Sequence, residues 1–252
     1  MKSLFLAWQA PERSPRSRAW FPVGRLDVEN GVSSDEKHYR FRYTGGALSA
    51  QKEVGFNPLI SFPEFEKDYH AEKLFPLFKN RVLSEKRSDF PEYIDWLDLT
   101  PEEADPISIL AVSGGDRVTD NLEVFPKIVP NKDGSFNLRF FLHGLRHLGD
   151  AAVERARELK VGEELRIMIE LNNPKTRLAI PILTDDYQML GWAPRYLVED
   201  LLTCVPSAPE ITARVAKVNY DHAPLNQSIL IDYSGQAPDG CGLMDSYDFK
   251  PL

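Results

Sequence analysis

The sequence predicts an α+β protein in two parts: an N-terminal mixed β/helical domain over residues 1–130 and a small, partly open β-barrel with one or two helices over 136–235. A short tail, 236–252, follows. Three observations carry this reading. The chain of 252 residues exceeds the usual single-domain size of about 100–150. The spacing of its apolar residues changes at "KIVPNKDGSF", a polar, turn-rich stretch where the domain boundary is placed. Beyond it lie several short strands with one or two helices and no βαβ rhythm, the pattern of a small barrel.

In the first part, β-like runs cover Leu4 to Trp8, Trp20 to Val28 and Tyr39 to Tyr43, separated by Pro, Gly, Ser and Asn. The stretch "YRFRYTGG" alternates, so Tyr39, Phe41 and Tyr43 share one strand face and Arg40 and Arg42 the other. A basic stripe beside aromatics can hold nucleic acid; a half-buried strand with a solvated outer face is the commoner arrangement. A short helix is expected between Gly45 and Pro58. From Ala71 to Leu99 the spacing turns helical, with Leu74, Leu77, Phe78, Arg81 and Val82 three and four apart. A second helix in "SDFPEYIDWLDL" is capped by Ser88 or Asp89 with Pro91 early. In "TPEEADPISILAVSGGD", Thr100 is the expected cap and Gly114-Gly115 the stop.

In the second part, Phe136, Leu138, Phe140 and Leu142 form one alternating set and Leu165, Ile167, Ile169 and Leu171 another. Between them Asp150 can cap a helix running to Lys160, with Ala152, Ala156 and Leu159 inward and Gly162 as its stop. Strands follow at Leu178 to Leu183, Gln188 to Ala193, Ile211 to Val218 and Ser228 to Tyr233, with a short helix from Arg195 to Leu202.

The net charge of −8 argues against indiscriminate nucleic-acid binding, which needs clustered Lys and Arg. From Phe136 to Gly235 there are 11 Lys and Arg against 13 Asp and Glu, a net of −2, which leaves −6 for the remainder. An anion site in the second part must therefore be local. Cys204 and Cys241 lie near no CxxC pattern and read as two reduced thiols. With no secretory pattern and no run near the roughly 20 apolar residues of a membrane helix, the protein is expected in the cytoplasm without membrane attachment. There is no GxSxG, HExxH, HRD, DFG or strand-following GxGxxG motif. Gly114-Gly115 lacks the Gly-Lys-Ser/Thr ending of a phosphate loop. His143 and His147 would suit a metal on a helix, but the stretch reads as a strand end entering a turn, and no third ligand is placed. Asp185-Asp186 and Glu163-Glu164 read as turn and solvated-face charges. No catalytic residue, metal or cofactor is assigned, and the protein is expected not to be an enzyme.

The segments "FFLHGLRHL", "VGEELRIMIELNNP", "AIPI" and "LGWAPRYL", in that order and continuing through "ARVAKV" and "ILIDYSG", resemble the HIRAN domain. That family has a small OB-like β-barrel, found alone in bacterial proteins and fused to remodelling enzymes in eukaryotes. In its best understood members the barrel captures the 3′ end of single-stranded DNA, so the resemblance implies binding of single-stranded DNA or DNA ends. Its Gly-Leu-Arg-aromatic motif falls on Gly144 to His147, which puts Arg146 at a phosphate and His147 at a base-stacking position. Its Asn-Asn-Pro-Tyr-Asp motif falls on Asn172, Asn173, Pro174, Lys175 and Thr176, and its Gly-aromatic-x-x-basic motif on Gly191, Trp192 and Arg195. Lys175 and Thr176 depart from the family's Tyr and Asp, which removes a stacking face and a hydrogen-bond acceptor for a terminal hydroxyl. Lys175 can add a phosphate contact and Trp192 a stacking face. Asn172-Asn173-Pro174 also suits a plain turn.

The stretches "YRFRYTGGAL", "NPLISFPEF" and "LFPLFKNRVL" resemble the N-terminal subdomain of HipA-type toxin kinases. No kinase body follows, so that resemblance implies an interaction module and a protein partner. The alternative reading is therefore a protein-interaction or regulatory module of a toxin–antitoxin-like or mobile-element system that binds no nucleic acid.

Overall fold

The computed structural model describes residues 2–30, 37–220, 222–238 and 242–252. They divide into two compact units that are interleaved along the chain. One comprises Met1–Ser84, Asp105–Lys127 and Met244–Leu252; the other comprises Glu85–Ala104 and Ile128–Leu243. The single boundary near 130 and the separate tail are thus replaced by an exchange of segments. Residues 85–104 belong with the second unit, and the end of the chain belongs with the first. Cys241 lies outside the described residues, while Cys204 is buried, with its Sγ 3.7 Å from the Asp200 carbonyl oxygen.

The first unit is mostly β. Its antiparallel sheet contains β1 (Lys2–Gln9), β2 (Trp20–Asn30), β3 (Lys37–Tyr43), β4 (Tyr69–Ala71) and β5 (Leu122–Pro126), in the spatial order β4-β3-β2-β1-β5. Alternation decides which face is buried. Tyr39, Phe41 and Tyr43 enter the core, where Phe41 stacks on Phe62 with ring centroids 3.9 Å apart. Arg40 and Arg42 lie opposite, paired with Asp68 and Asp27, so the basic stripe is a self-neutralised face.

The helices are shorter than their spacing suggests. Helix α1 (Gly45–Val54) forms as expected, ending at Gly55 in the left-handed conformation. Only the four residues of α2 (Pro76–Lys79) are helical in the Leu74–Val82 stretch, and α3 spans Phe90–Trp96. Helix α4 (Pro106–Ser113) is capped by Asp105, whose side chain accepts from the Ile107 amide at 3.0 Å, not by Thr100. Thr100 instead closes a separate turn, donating its amide and hydroxyl to the Glu103 carboxylate. Two acceptable caps with a proline one residue later stand five residues apart; the one at the packed apolar run starts the helix. Gly114 ends it with φ 71°, as expected.

Tyr43 ties this core to its loop. Its hydroxyl donates to the Phe62 carbonyl at 2.7 Å and accepts from the Leu59 amide at 2.6 Å. Burial pushes its phenol up to about 12, against a smaller opposing effect of the Leu59 hydrogen bond. The phenol is held protonated in the fold. Its contribution is therefore complete below pH ~10, the unfolded value, and is lost as pH rises toward the folded one. Tyr43→Phe is expected to lower unfolding free energy by about 2 kcal/mol and to flatten the alkaline limb of a stability–pH profile measured by urea titration.

The second unit is a curled six-stranded sheet, a half-barrel consistent with the OB-like barrel expected. It is built from β6 (Ser135–Phe141), β7 (Glu164–Ile167), β10 (Pro181–Leu183), β11 (Met189–Trp192), β12 (Thr212–Val218) and β13 (Ile229–Gln236), ordered β11-β10-β7-β12-β13-β6. Helix α5 (Asp150–Arg157) follows Gly149 at its cap position, and Ala152, Ala156 and Leu159 are buried as expected. The Arg195–Leu202 helix appears as a 3-10 turn, Arg195–Leu197, running into α6 (Val198–Thr203). The sheet's two edge strands, β6 and β11, come together where His143 and Trp192 exchange backbone hydrogen bonds of 2.9 and 3.0 Å. This bridge is the seam of the half-barrel.

The expected single strand from Leu165 to Leu171 is broken. After β7 the chain forms a separate two-stranded ribbon, β8 (Glu170–Asn173) with β9 (Arg177–Ala179). Leu165 is buried, but Leu171 is 66% exposed, so the alternating set does not share one buried face. The apolar residues Met168, Ile169, Leu171 and Leu178 are all exposed along the ribbon.

Candidate nucleic-acid interface

The residues singled out from the sequence gather around the seam and the ribbon. Gly144 follows the seam with φ 81°, a left-handed conformation that turns the chain into the 3-10 turn Leu145–His147. A Cβ at this position would lie 2.5 Å from Cε3 of Trp192, so the absence of a side chain lets the indole lie against the backbone. In the turn Leu145 is buried, while Arg146 and His147 are exposed. Arg146 Nε donates to His147 Nε2 at 3.2 Å, holding the two side chains together.

Trp192 ends β11 and is half-buried. Its Nε1 donates to Glu170 Oε2 at 3.4 Å, and the same oxygen accepts from Asn173 Nδ2 at 2.9 Å. The indole therefore touches the Gly144 turn and is tethered to the ribbon, which brings the three sequence segments to one place. Arg195 lies three residues beyond Trp192 at the start of the next 3-10 turn and is half-buried. His143 faces Tyr196 edge-on, with ring centroids 6.3 Å apart. Among the described residues no group of three or more metal-ligating side chains forms.

Asn172 and Asn173 have different positions. Asn172 is exposed on the ribbon. Asn173 Oδ1 accepts from the Lys175 amide at 3.0 Å, the Thr176 amide at 3.1 Å and the Thr176 hydroxyl at 3.1 Å. With its amide nitrogen donating to Glu170, Asn173 is occupied in shaping its own turn. It is a positioning residue, and the "NNPKT" stretch is a turn that also serves as a ledge. The exposed charged side chains at the tip are those of Lys175 and Arg177.

Sequence reading missed Glu170 and Arg177. Period-two alternation places residues three apart on opposite faces of a strand, so Glu170 and Asn173 would not meet. A register irregularity between them changes the phase and brings them together. Arg177 has φ 65° at the end of the turn, a conformation its residue type does not announce.

Charge distinguishes the cations of the seam and the ribbon from several others of the unit. Arg139, Arg155, Arg166 and Lys217 are each paired with a carboxylate, and these pairs absorb the expected turn and face charges Glu163, Asp185 and Asp186. Arg146, Lys175 and Arg177 have no carboxylate partner among the described residues. Three cations without a carboxylate partner among the described residues thus stand on the turn and the ribbon that meet at the indole, in a protein whose net charge is −8. No helix among the described residues is long and apolar enough to cross a membrane.

The structure is similar to that of a protein from Lactobacillus plantarum, at 20% identity over 40% of this chain and 97% of that one, with a TM-score of 0.32. It is also similar to the HIRAN domain of human HLTF, at 17% identity over 42% of this chain and 84% of that one, with a TM-score of 0.31. No curated protein matches the chain. None of these comparisons supports the resemblance of the first half to HipA-type kinases. The match to a known family spans the curled sheet and every residue gathered at its seam: residues 135–237 of this chain are a HIRAN domain.

Proposed function

We propose that this protein is a non-catalytic nucleic-acid-binding protein whose HIRAN domain binds single-stranded DNA or DNA ends at the seam of the half-barrel. The observation that carries the reading is the convergence of Trp192 with the Gly144 turn and the ribbon, which carry Arg146, Lys175 and Arg177, cations with no carboxylate partner among the described residues. HIRAN domains are known nucleic-acid-binding domains, and the family match supports the same class of ligand here.

Each group has a role in this reading. Arg146, Lys175 and Arg195 meet phosphates; Trp192 and His147 offer ring faces to bases; Asn172 presents an amide at the ribbon surface. Glu170 and Asn173 orient the indole and the turn. Arg177 adds a fourth cation. Because Lys175 and Thr176 stand where the family has Tyr and Asp, the site is expected to hold a strand by charge and stacking with little preference for a 3′ hydroxyl. Protein partners of the N-terminal unit are a separate expectation.

Fluorescence anisotropy with a labelled oligonucleotide tests the proposal. Arg146→Ala with Arg195→Ala is expected to weaken binding by about 100-fold or more, since each removes a hydrogen bond to a charged group that contributes about 1.5–3 kcal/mol. It should also reduce the slope of log K against log salt by about 1.4, the value for two lost phosphate contacts on a single strand. Absence of binding at low salt, or binding indifferent to both substitutions, would reject the site. Equal affinity for oligonucleotides with and without a free 3′ hydroxyl is the expected consequence of Lys175 and Thr176.

A further inference from the structure

The HIRAN unit carries a concavity that shares no residue with the Trp192 site. It is an open groove of about 380 Å³ on the polar face of the curled sheet. Its floor is two cross-strand rows set by register. Asn137, Ser234 and Thr212 form one row on β6, β13 and β12, and Arg139, Asp232 and Arg214 form the next. Asp98 bounds the groove on one side and Val161-Gly162 on another.

The charges within it are unevenly committed. Arg139 is held by Asp232 at 2.6 Å and by Asp98 at 3.0 Å, so its charge is answered twice. Arg214 is exposed and makes no ion pair among the described residues, although Glu164 stands across from it on β7. Beside it the Thr212 and Ser234 hydroxyls hydrogen-bond each other at 2.8 Å. That bond uses one hydroxyl hydrogen and one lone pair, and leaves the remaining capacity of both groups open to the groove.

We propose that this groove binds a small, hydroxyl-rich anion of the sugar-phosphate class. Arg214 takes the phosphate, and Asn137, Thr212 and Ser234 take hydroxyls. Three features set this chemistry. There is one uncommitted cation, suited to one anionic group. Hydroxyl and amide groups line the floor and no aromatic residue does, so there is no face on which a base would stack. Carboxylates Asp98 and Asp232 stand in the same concavity, which disfavours a polyanion running through it and limits the ligand to a compact molecule. The volume lies within the range of small-molecule sites, about 300–1,000 Å³.

Calorimetric titration of the full chain with ribose 5-phosphate, with ribose and inorganic phosphate as separate arms, tests this. The expected result is saturable one-to-one binding of ribose 5-phosphate, at least about tenfold tighter than either fragment. Arg214→Gln and Thr212→Val should each weaken it by about tenfold or more, since each removes a ligand-facing hydrogen-bonding group. Arg146→Ala should leave it unchanged, and a short oligonucleotide should not compete. Arg214 is exposed and Val suits a strand, so both variants are expected to retain the wild-type melting curve, which circular dichroism checks. No saturable binding, equal binding of the fragments, insensitivity to both variants, or displacement by the oligonucleotide would overturn the proposal. Loss of oligonucleotide binding in Arg146→Ala with sugar-phosphate binding intact would separate this groove from the seam.

Discussion

Trp192→Ala is expected to weaken oligonucleotide binding by roughly 5- to 150-fold and to loosen the seam of the HIRAN half-barrel. The indole does two things at once. It lies against Gly144, whose missing side chain makes room for it, and its ring nitrogen donates to Glu170 on the ribbon. Base stacking on an aromatic side chain contributes about 1–3 kcal/mol per base, so its loss alone weakens binding by roughly 5- to 150-fold. Removing a half-buried tryptophan also costs about 2–3 kcal/mol of stability, somewhat less than the 3–5 kcal/mol of a fully buried one. Trp192→Phe separates these contributions. It keeps an aromatic face but loses the donor to Glu170, so it should retain most of the affinity while the ribbon becomes freer. Anisotropy measures the first effect and amide exchange over residues 170–179 the second. Full affinity in Trp192→Ala would remove the indole from the binding site.

In the N-terminal unit the largest effect is expected from Asp27→Ala. Asp27 is only 2% exposed, yet it lies on the outer face of β2 beneath a cluster of polar side chains. It accepts from Ser3 at 2.6 Å, from Arg25 at 2.7 Å and from Arg42 at 3.0 Å. Burial pushes its carboxyl up. The Ser3 hydrogen bond, the Arg25 charge, and the hydrogen bonds from Arg42 and Arg25 outweigh burial and hold it below the usual carboxylate range. Deleting the carboxylate leaves two mostly buried guanidiniums without their shared partner, a change that costs about 3–5 kcal/mol. The sign of the pH dependence follows from the depressed value. The stabilisation is present above the unfolded-state value of about 3.9 and is lost as pH falls through the folded one. Urea unfolding of wild type and Asp27→Asn should therefore differ most near neutrality and converge in strong acid. A constant difference across that range would show that Asp27 acts by packing, not by charge.

These two residues also mark what could be read in one dimension. The strand "YRFRY" announces its own faces, because side chains alternate and aromatics seek the core; Tyr39, Phe41 and Tyr43 are buried as that pattern requires. The helix around Ala152 and Ala156 and the stop at Gly114 were legible for the same local reason. Asp27 was not legible. Its partners come from β1 and β3 through register, and nothing in "GRLDVEN" states which residues lie opposite.

The site shows the same division. Gly144, Arg146, His147, Asn172, Asn173, Lys175, Trp192 and Arg195 are what the resemblance of the ordered segments to the HIRAN domain implies, not what spacing alone states. The meeting of the indole with Gly144 exists only because the edge strands β6 and β11 bridge at His143 and Trp192. Likewise, Thr100 and Asp105 are both sound caps, and only packing of the apolar run after Pro106 chose between them. By itself the sequence determined the short-range matters: which faces turn inward, where turns form, and which polar and aromatic residues stand at them. Tertiary structure decided the pairing of segments, the phase shift that joins Glu170 to Asn173, and which cations keep a carboxylate and which do not. The physical reason is range. Propensity and alternation act over a few residues, whereas register, curl and charge pairing depend on strands brought together from distant parts of the chain.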